Sequence, residues 1–267
     1  MKNVLVLMHD DSGQEARFQA ALDLTRALDG HLDCVDVAVE PVLVTEYAMT
    51  GGQALLIADE QANEHDNRAR MEARLKVEGV PYDWTDVTGF LSPSVRDAAG
   101  LADLIVLNRE LDDYPYPDMR EVVGEVVIKS GRPVVAVPQT GRGFNAFGPA
   151  LIAWDGSPAS EAALRAAVPL LQKAGSVAIL EVRDGSIKAP AEEAAEYLSR
   201  HGIKPNIRRE TSVMAFPSTI ILDTIEQIRA AWLVMGGFGH SRFIEAAFGG
   251  VTQRMLKECP ISVFLAH

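Results

Sequence analysis

Met235-Gly-Gly-Phe-Gly-His-Ser-Arg-Phe-Ile-Glu-Ala-Ala-Phe-Gly-Gly-Val-Thr252 is the stretch whose reading decides the fold. It follows an apolar run, Ala231 to Met235, that reads as a buried strand. It precedes Val251 to Glu258, which reads as a helix with Val251, Met255 and Leu256 on one face. Glycines fall at 236, 237, 239, 249 and 250. A glycine-rich loop between a strand and a helix can cradle phosphate. Glycine permits positive φ and close ligand approach, and the helix start offers unpaired N–H groups and a positive dipole end. The plainer reading is that such glycines serve only the turn.

Working outward, the chain reads as two copies of one pattern. Val4-Leu-Val-Leu-Met-His-Asp-Asp-Ser12 begins it, and Ala150-Leu-Ile-Ala-Trp-Asp-Gly-Ser157 restates it. Each strand runs into an amphipathic helix, with Phe18, Ala21, Leu22, Thr25 and Leu28 in the first and Ala163, Ala167, Leu170 and Leu171 in the second. Second strands follow at Leu32 to Val39 and Val177 to Val182. Ala102 to Asn108 pairs with Ala230 to Gly236, and Ser130 to Pro138 pairs with Lys257 to Leu265. Repeated strand–helix–strand units predict two tandem open parallel-sheet, Rossmann-like α/β/α domains with right-handed crossovers. Gln139 to Gly148 reads as a linker, which sets the domains at 1–140 and 149–267. Pro41 to Gly52 reads as an irregular loop and Gln53 to Glu78 as a long polar-faced helix. Pro169 should bend or end the helix it sits in.

Composition narrows the function. Of 267 residues, 48% are hydrophobic and 23% charged, enough for a sizeable core. No apolar run approaches the roughly 20 residues that span a bilayer. The net charge of −12 is uneven: residues 1–140 carry 12 Lys+Arg and 25 Asp+Glu, residues 141–267 carry 13 and 12. An acidic first half disfavours nucleic acid and anionic membranes, and a polyphosphate would favour the second half. Cys34 and Cys259 read as packed thiols in a reducing, cytoplasmic compartment. No histidine spacing suits metal ligation. Glu64-His65-Asp66 lies on a polar helix, where adjacent residues point different ways, so no metal ligand is assigned. There is no Walker motif and no nucleophile elbow, so no catalytic residue is assigned.

These residues resemble the universal stress protein family, and the chain resembles a tandem member of it, more faithfully over residues 150–267. The family's nucleotide loop reads Gly, two residues, Gly, nine residues, Gly, then Ser or Thr; Gly236, Gly239 and Gly249 keep that spacing. The resemblance implies a stress-response protein that binds ATP or a related adenine nucleotide, with Mg2+ accompanying the phosphates, as a regulatory signal. It implies that Asp155 lies near the nucleoside and that the Val182 backbone meets adenine, with Gly250, Val251 and Thr252 around the phosphates. One departure is Gly250, where the family has Ser or Thr. A lost hydroxyl hydrogen bond is worth about 1 kcal/mol, somewhat under tenfold in affinity, and Thr252 could compensate.

The first half departs further. Asn108 to Pro117 lacks the glycine pair and carries Glu110, Asp112 and Asp113, and Val122-Val123 stands where the third glycine belongs. That half is expected not to take ATP. The resemblance also implies that Val134 to Val137 and Ser262 to Leu265, the edge candidates of the two sheets, meet. One chain would then have the shape of a homodimer, and association of two chains is left open. Several assignments keep a rival. Asp155 reads as a ligand contact or a turn residue, and Arg242 as a phosphate partner or a solvated charge. Ser157 caps the helix that Pro158 opens. A slow ATPase and a nucleotide-free interaction module are the competing functions.

Overall fold

The computed structural model describes residues 1–39, 52–111, 118–211, 216–239 and 250–267, with side chains given from residue 62 onward in the helix that starts at Gly52. The first half comprises β1 (Asn3–Leu7), α1 (Gln14–Leu28), β2 (His31–Val39), α2 (Gly52–Glu78), β3 (Tyr82–Gly89), α3 (Leu91–Ala98), β4 (Leu104–Asn108), α4 (Met119–Ser130) and β5 (Val134–Val137). The second comprises β6 (Pro149–Trp154), α5 (Pro158–Leu171), β7 (Ser176–Arg183), α6 (Ala191–Arg200), β8 (Asn206–Thr211), α7 (Pro217–Ile228), β9 (Trp232–Gly236), α8 (Gly250–Glu258) and β10 (Ser262–Ala266). The expected irregular loop from Pro41 lies almost wholly outside the described residues.

All ten strands form one sheet, in the order β3-β2-β1-β4-β5-β10-β9-β6-β7-β8. Pairing is parallel throughout except at the centre, where β10 runs antiparallel to β5 with Val263 opposite Ala136, Phe264 opposite Val135 and Leu265 opposite Val134. Two open sheets are therefore continuous, and the edges fall at β3 and β8. The burial follows the pleat. In β1, Val4 and Val6 face one core with Phe18, Met71, Trp232 and Phe264, while Leu5 and Leu7 face another with Val95, Val123, Leu233 and Met255. One face of the sheet carries α1, α2, α5 and α6; the other carries α3, α4, α7 and α8. Both cores contain residues of both halves.

Local chemistry sets the helix ends. Ser157 Oγ accepts from Ser160 N at 3.2 Å with Pro158 at the first turn, and α5 ends at Leu171, two residues after Pro169. Asp118 caps α4 through Arg120 N at 2.9 Å, and Gly131 closes it with φ of 62°. The glycine-rich stretch 139–148 is no bare tether. Phe144 is buried, stacks at 5.4 Å on the Trp232 ring and donates its N–H to Asp23 Oδ2 at 2.9 Å. Cys34 and Cys259 are buried free thiols, and burial raises the pKa of both.

In the first half the space at the carboxyl ends of β1 and β4 is occupied by Arg17, which is fully buried. Its Nε donates to Leu7 O at 2.8 Å, its Nη2 to His9 O at 2.7 Å, and its Nη1 to both Asp11 oxygens at 2.9 and 2.8 Å and to Asn108 Oδ1. Removing one partner of a buried pair strands the other charge. Arg17→Met is expected to lower unfolding stability by about 3 kcal/mol or more, read from the urea midpoint. A midpoint within error of wild type would refute the role of this guanidinium.

Candidate functional site

In the second half the sheet leaves a crevice where β6 separates β9 from β7. The strand order reverses there, and connections leave on opposite faces. A cleft of about 240 Å³ opens at the carboxyl ends of these strands. It is small beside the roughly 300–1,000 Å³ of ordinary small-molecule sites. Gly239 and Gly250 both line it, and the residues between them in sequence are outside the described ones. Its floor and walls are Ala153, Trp154, Leu180, Val182, Ile187, Ile221, Met235 and Phe238, an apolar slot of a width set by side chains from four elements and two loops. Its polar rim is Asp155, Ser157, Ser160, Asp184, Ser186 and the first turn of α8.

The structure brings seven of the eight sequence-predicted residues to this one cleft: Asp155, Val182, Gly236, Gly239, Gly250, Val251 and Thr252. Gly249, with His240, Ser241, Arg242 and Glu245, lies outside the described residues. Asp155 ends β6 and its Oδ1 accepts Ser157 N at 2.9 Å, so it is a turn residue whether or not it also meets a ligand. Its carbonyl accepts Lys188 N at 2.7 Å. The Val182 carbonyl accepts Asp184 N at 3.1 Å. Thr252 is buried within the first turn of α8.

Gly236 and Gly250 differ in what surrounds them among the described residues. Gly236 does not take a left-handed backbone. A Cβ there would run into the backbone of Ala159 and Ser160, so this glycine lets the start of α5 press against the end of β9. Gly250 opens α8, and among the described residues nothing lies within 4 Å of where its Cβ would stand. The left-handed positions at or beside the cleft are Gly156, with φ of 71°, Gly185, with φ of 90°, and Phe238, with φ of 60°. Gly156 is obligatory because the backbone of Ala189 sits against it. A bulky residue such as Phe238 held at positive φ in a cleft wall stores backbone strain, on the order of 1–3 kcal/mol.

The electrostatics are mixed. Asp155 and Asp184 face the cleft, and no Lys or Arg lines it among the described residues. Burial pushes the Asp184 carboxyl up, but hydrogen bonds from Ser186 Oγ and N hold it below its ordinary range. The α8 start turns the positive end of its dipole towards the cleft. The segment between β7 and α6 is laced onto the site: Trp154 Nε1 donates to Ala189 O at 2.9 Å and Ala191 N to Glu181 Oε2 at 2.9 Å. Sequence reasoning missed that segment, although Asp184-Gly-Ser-Ile187 is a legible turn directly after a strand.

The first half diverges at the matching place. Asn108 holds the position of Gly236, and the close approach is instead relieved by Gly13, whose Cβ would strike Asn108 and Leu111. Val122 and Val123 are core residues of α4. Glu110 pairs with Arg109 at 2.7 Å, while Asp112 and Asp113 lie outside the described residues. Arg109 was not foreseen: its Nη1 donates to Leu256 O at 2.6 Å and Lys257 O at 2.5 Å, at the carboxyl end of α8.

Fold and cleft together define a doubly wound α/β protein with a ligand crevice at a topological switch point. The sequence model of the Universal stress protein family matches residues 146–267, and that half of the chain belongs to the family. Solved structures extend the likeness in fold to the whole chain. A universal stress protein from Archaeoglobus fulgidus is 18% identical with a TM-score of 0.72, over 98% of this chain and 95% of that one. A putative universal stress protein from Pseudomonas aeruginosa is 15% identical with a TM-score of 0.59, over 100% and 93%. A functionally unknown protein from the same species is 14% identical with a TM-score of 0.58, over 100% and 92%. No curated protein gives a significant match. Among the described residues no helix is long and apolar enough to cross a membrane.

Because Gly236 meets backbone and Gly250 meets nothing among the described residues, their alanine variants should part ways. Gly236→Ala is expected to lower stability by about 1–3 kcal/mol through overpacking. Gly250→Ala should leave stability within about 0.5 kcal/mol or raise it. Chemical denaturation of both variants checks this; equal midpoints would refute the packing role of Gly236.

Proposed function

We propose that the second half, residues 149–267, binds ATP or a related adenine nucleotide as a regulatory ligand, with Mg2+ accompanying the phosphates. The observation that carries this reading is the convergence of Asp155, Val182, Gly236, Gly239, Gly250, Val251 and Thr252 on one crevice, in a domain whose family is known. The apolar slot between Val182, Ile187, Ile221 and Phe238 suits a flat purine, with Asp155 beside the sugar. Phosphates fall to the α8 amides, Thr252 and the glycine loop. The first half, residues 1–140, serves as a structural partner that does not take nucleotide, because Arg17, Asn108 and Leu111 fill the corresponding place. The two halves then act as an intramolecular pseudo-dimer in the cytoplasm.

A nucleotide-free interaction module is the rival, favoured by two carboxylates and no cation on the described rim. A slow ATPase or phosphotransferase is the third reading, for which Asp155 and Asp184 are the carboxylates of the described rim.

Thermal unfolding with and without Mg-ATP separates the readings. A ligand at 100 times its dissociation constant adds about 2.7 kcal/mol to stability, so the midpoint should rise, and Asp155→Ala should blunt the rise. Gly250→Ser restores a hydroxyl donor worth about 1 kcal/mol and should tighten binding severalfold. No shift up to millimolar nucleotide, and no nucleotide extracted from freshly purified protein, would favour the module.

A further inference from the structure

The geometry points to a second ligand site, in the first half, that takes a divalent transition-metal ion of the zinc class through His9, Asp36 and Glu64. These residues come from three separate segments: the residue pair after β1, the middle of β2, and α2. One ligand atom from each lies within 4.8 Å of the others. All three are buried, at 3%, 1% and 6% exposure. Sequence spacing could not find the group, because its members are adjacent only after β1 and β2 pair and α2 packs over them.

One oxygen of Asp36 points to an absent partner. Asp36 Oδ1 is buried and accepts no hydrogen bond from an N–H or hydroxyl among the described residues, and the Asp36 carboxyl lies against that of Glu64, so the two need a proton or a cation between them. A carboxylate oxygen left so is costly, and a coordinated cation satisfies it. The other carboxylate oxygens are held from behind. Asn67, on α2, donates from Nδ2 to Asp36 Oδ2 at 3.0 Å, to Glu64 Oε2 at 2.9 Å and to Met8 O at 2.7 Å. Its own oxygen is fixed by Gln14 Nε2 at 2.8 Å and Arg70 Nη2 at 2.9 Å. An amide that ties one oxygen of each carboxylate is the outer support metal ligands need. Glu64 Oε1 faces His9 Nδ1 and also accepts Asp10 N at 3.3 Å.

Charge balance argues the same way. The surrounding cations are each committed to another acid: Arg17 to Asp11, Arg68 to Asp86 and to Glu72, and Arg70 to Asp10. None of them pairs with Asp36 or Glu64. A neutral imidazole, two carboxylates and one divalent ion sum to zero charge, which is what a sealed site tolerates. One imidazole nitrogen with two carboxylates suits Zn2+ and its neighbours better than Mg2+ or Ca2+, which prefer all-oxygen sets.

The test uses the full-length chain without a histidine tag, stripped with EDTA and dialysed. Zinc chloride is titrated in competition with a chromophoric chelator. The wild type should withhold one equivalent of zinc, and its unfolding midpoint should rise. Asp36→Asn and His9→Gln should each weaken binding at least tenfold, and Asn67→Ala by about 10–100-fold. His31→Ala, in the more exposed His31, Asp33 and Asp83 group, should change nothing. Failure of the wild type to withhold zinc overturns the site. So does unchanged affinity in Asp36→Asn, or loss of binding in His31→Ala. Should the Asp36 and His9 variants not fold, cobalt(II) added to wild type decides: a visible band of nitrogen–oxygen ligation supports the site, and a spectrum of hydrated cobalt overturns it.

Discussion

The antiparallel contact of β5 with β10 is the constraint on which the rest of this molecule depends. Each half alone would end in a short, fully apolar strand whose main-chain donors and acceptors face outward, an invitation to aggregation. Pairing those strands removes both edges at once. It buries Val134, Val135, Ala136 and Val137 against Val263, Phe264 and Leu265 without exposure of any of them. Because both cores then run across the junction, the halves share their hydrophobic stabilisation. The remaining edges, β3 and β8, are polar: β3 shows Asp83, Thr85 and Asp86, and β8 shows Arg209, Glu210 and Thr211.

Within that shared frame the two halves solve one packing problem in opposite ways. A helix must start close to the end of the fourth strand of its half, and one partner must give up its side chain. In the second half Gly236 yields to the start of α5, which keeps the strand end bare and leaves a hollow beside it. In the first half Gly13 yields to Asn108, and the hollow fills with Asn108, Leu111 and the Arg17 guanidinium. A single exchange of glycine between strand and helix thus accompanies the difference between an open crevice and a plugged one.

Much of this was legible in the sequence because it is local. Alternating apolar runs such as Val4 to Leu7 give strands by their pleat, and Ser157-Pro158 marks a helix start by its own chemistry. The glycine spacing from 236 to 250 marked one wall of the cleft because those residues are neighbours in the chain, whereas the walls from β6, β7 and α7 are not. What stayed hidden depends on convergence. Asp36, Glu64 and His9 meet only through tertiary packing, and Arg109 finds its acceptors on a helix almost 150 positions away. Residues 139–148 read as a linker by composition, and what composition could not show is that Phe144 within them docks on Trp232.

Arg109 has a mechanical consequence. Helix α8 is a rod of about 13 Å, at 1.5 Å per residue. Its amino end belongs to the crevice of one lobe, and its carboxyl end is gripped by a guanidinium from the other. Any occupant that tugs on the near tip must therefore strain a fastening held by the opposite lobe. The rod couples them as a lever does, and the lobe without a crevice of its own is the one that feels the pull.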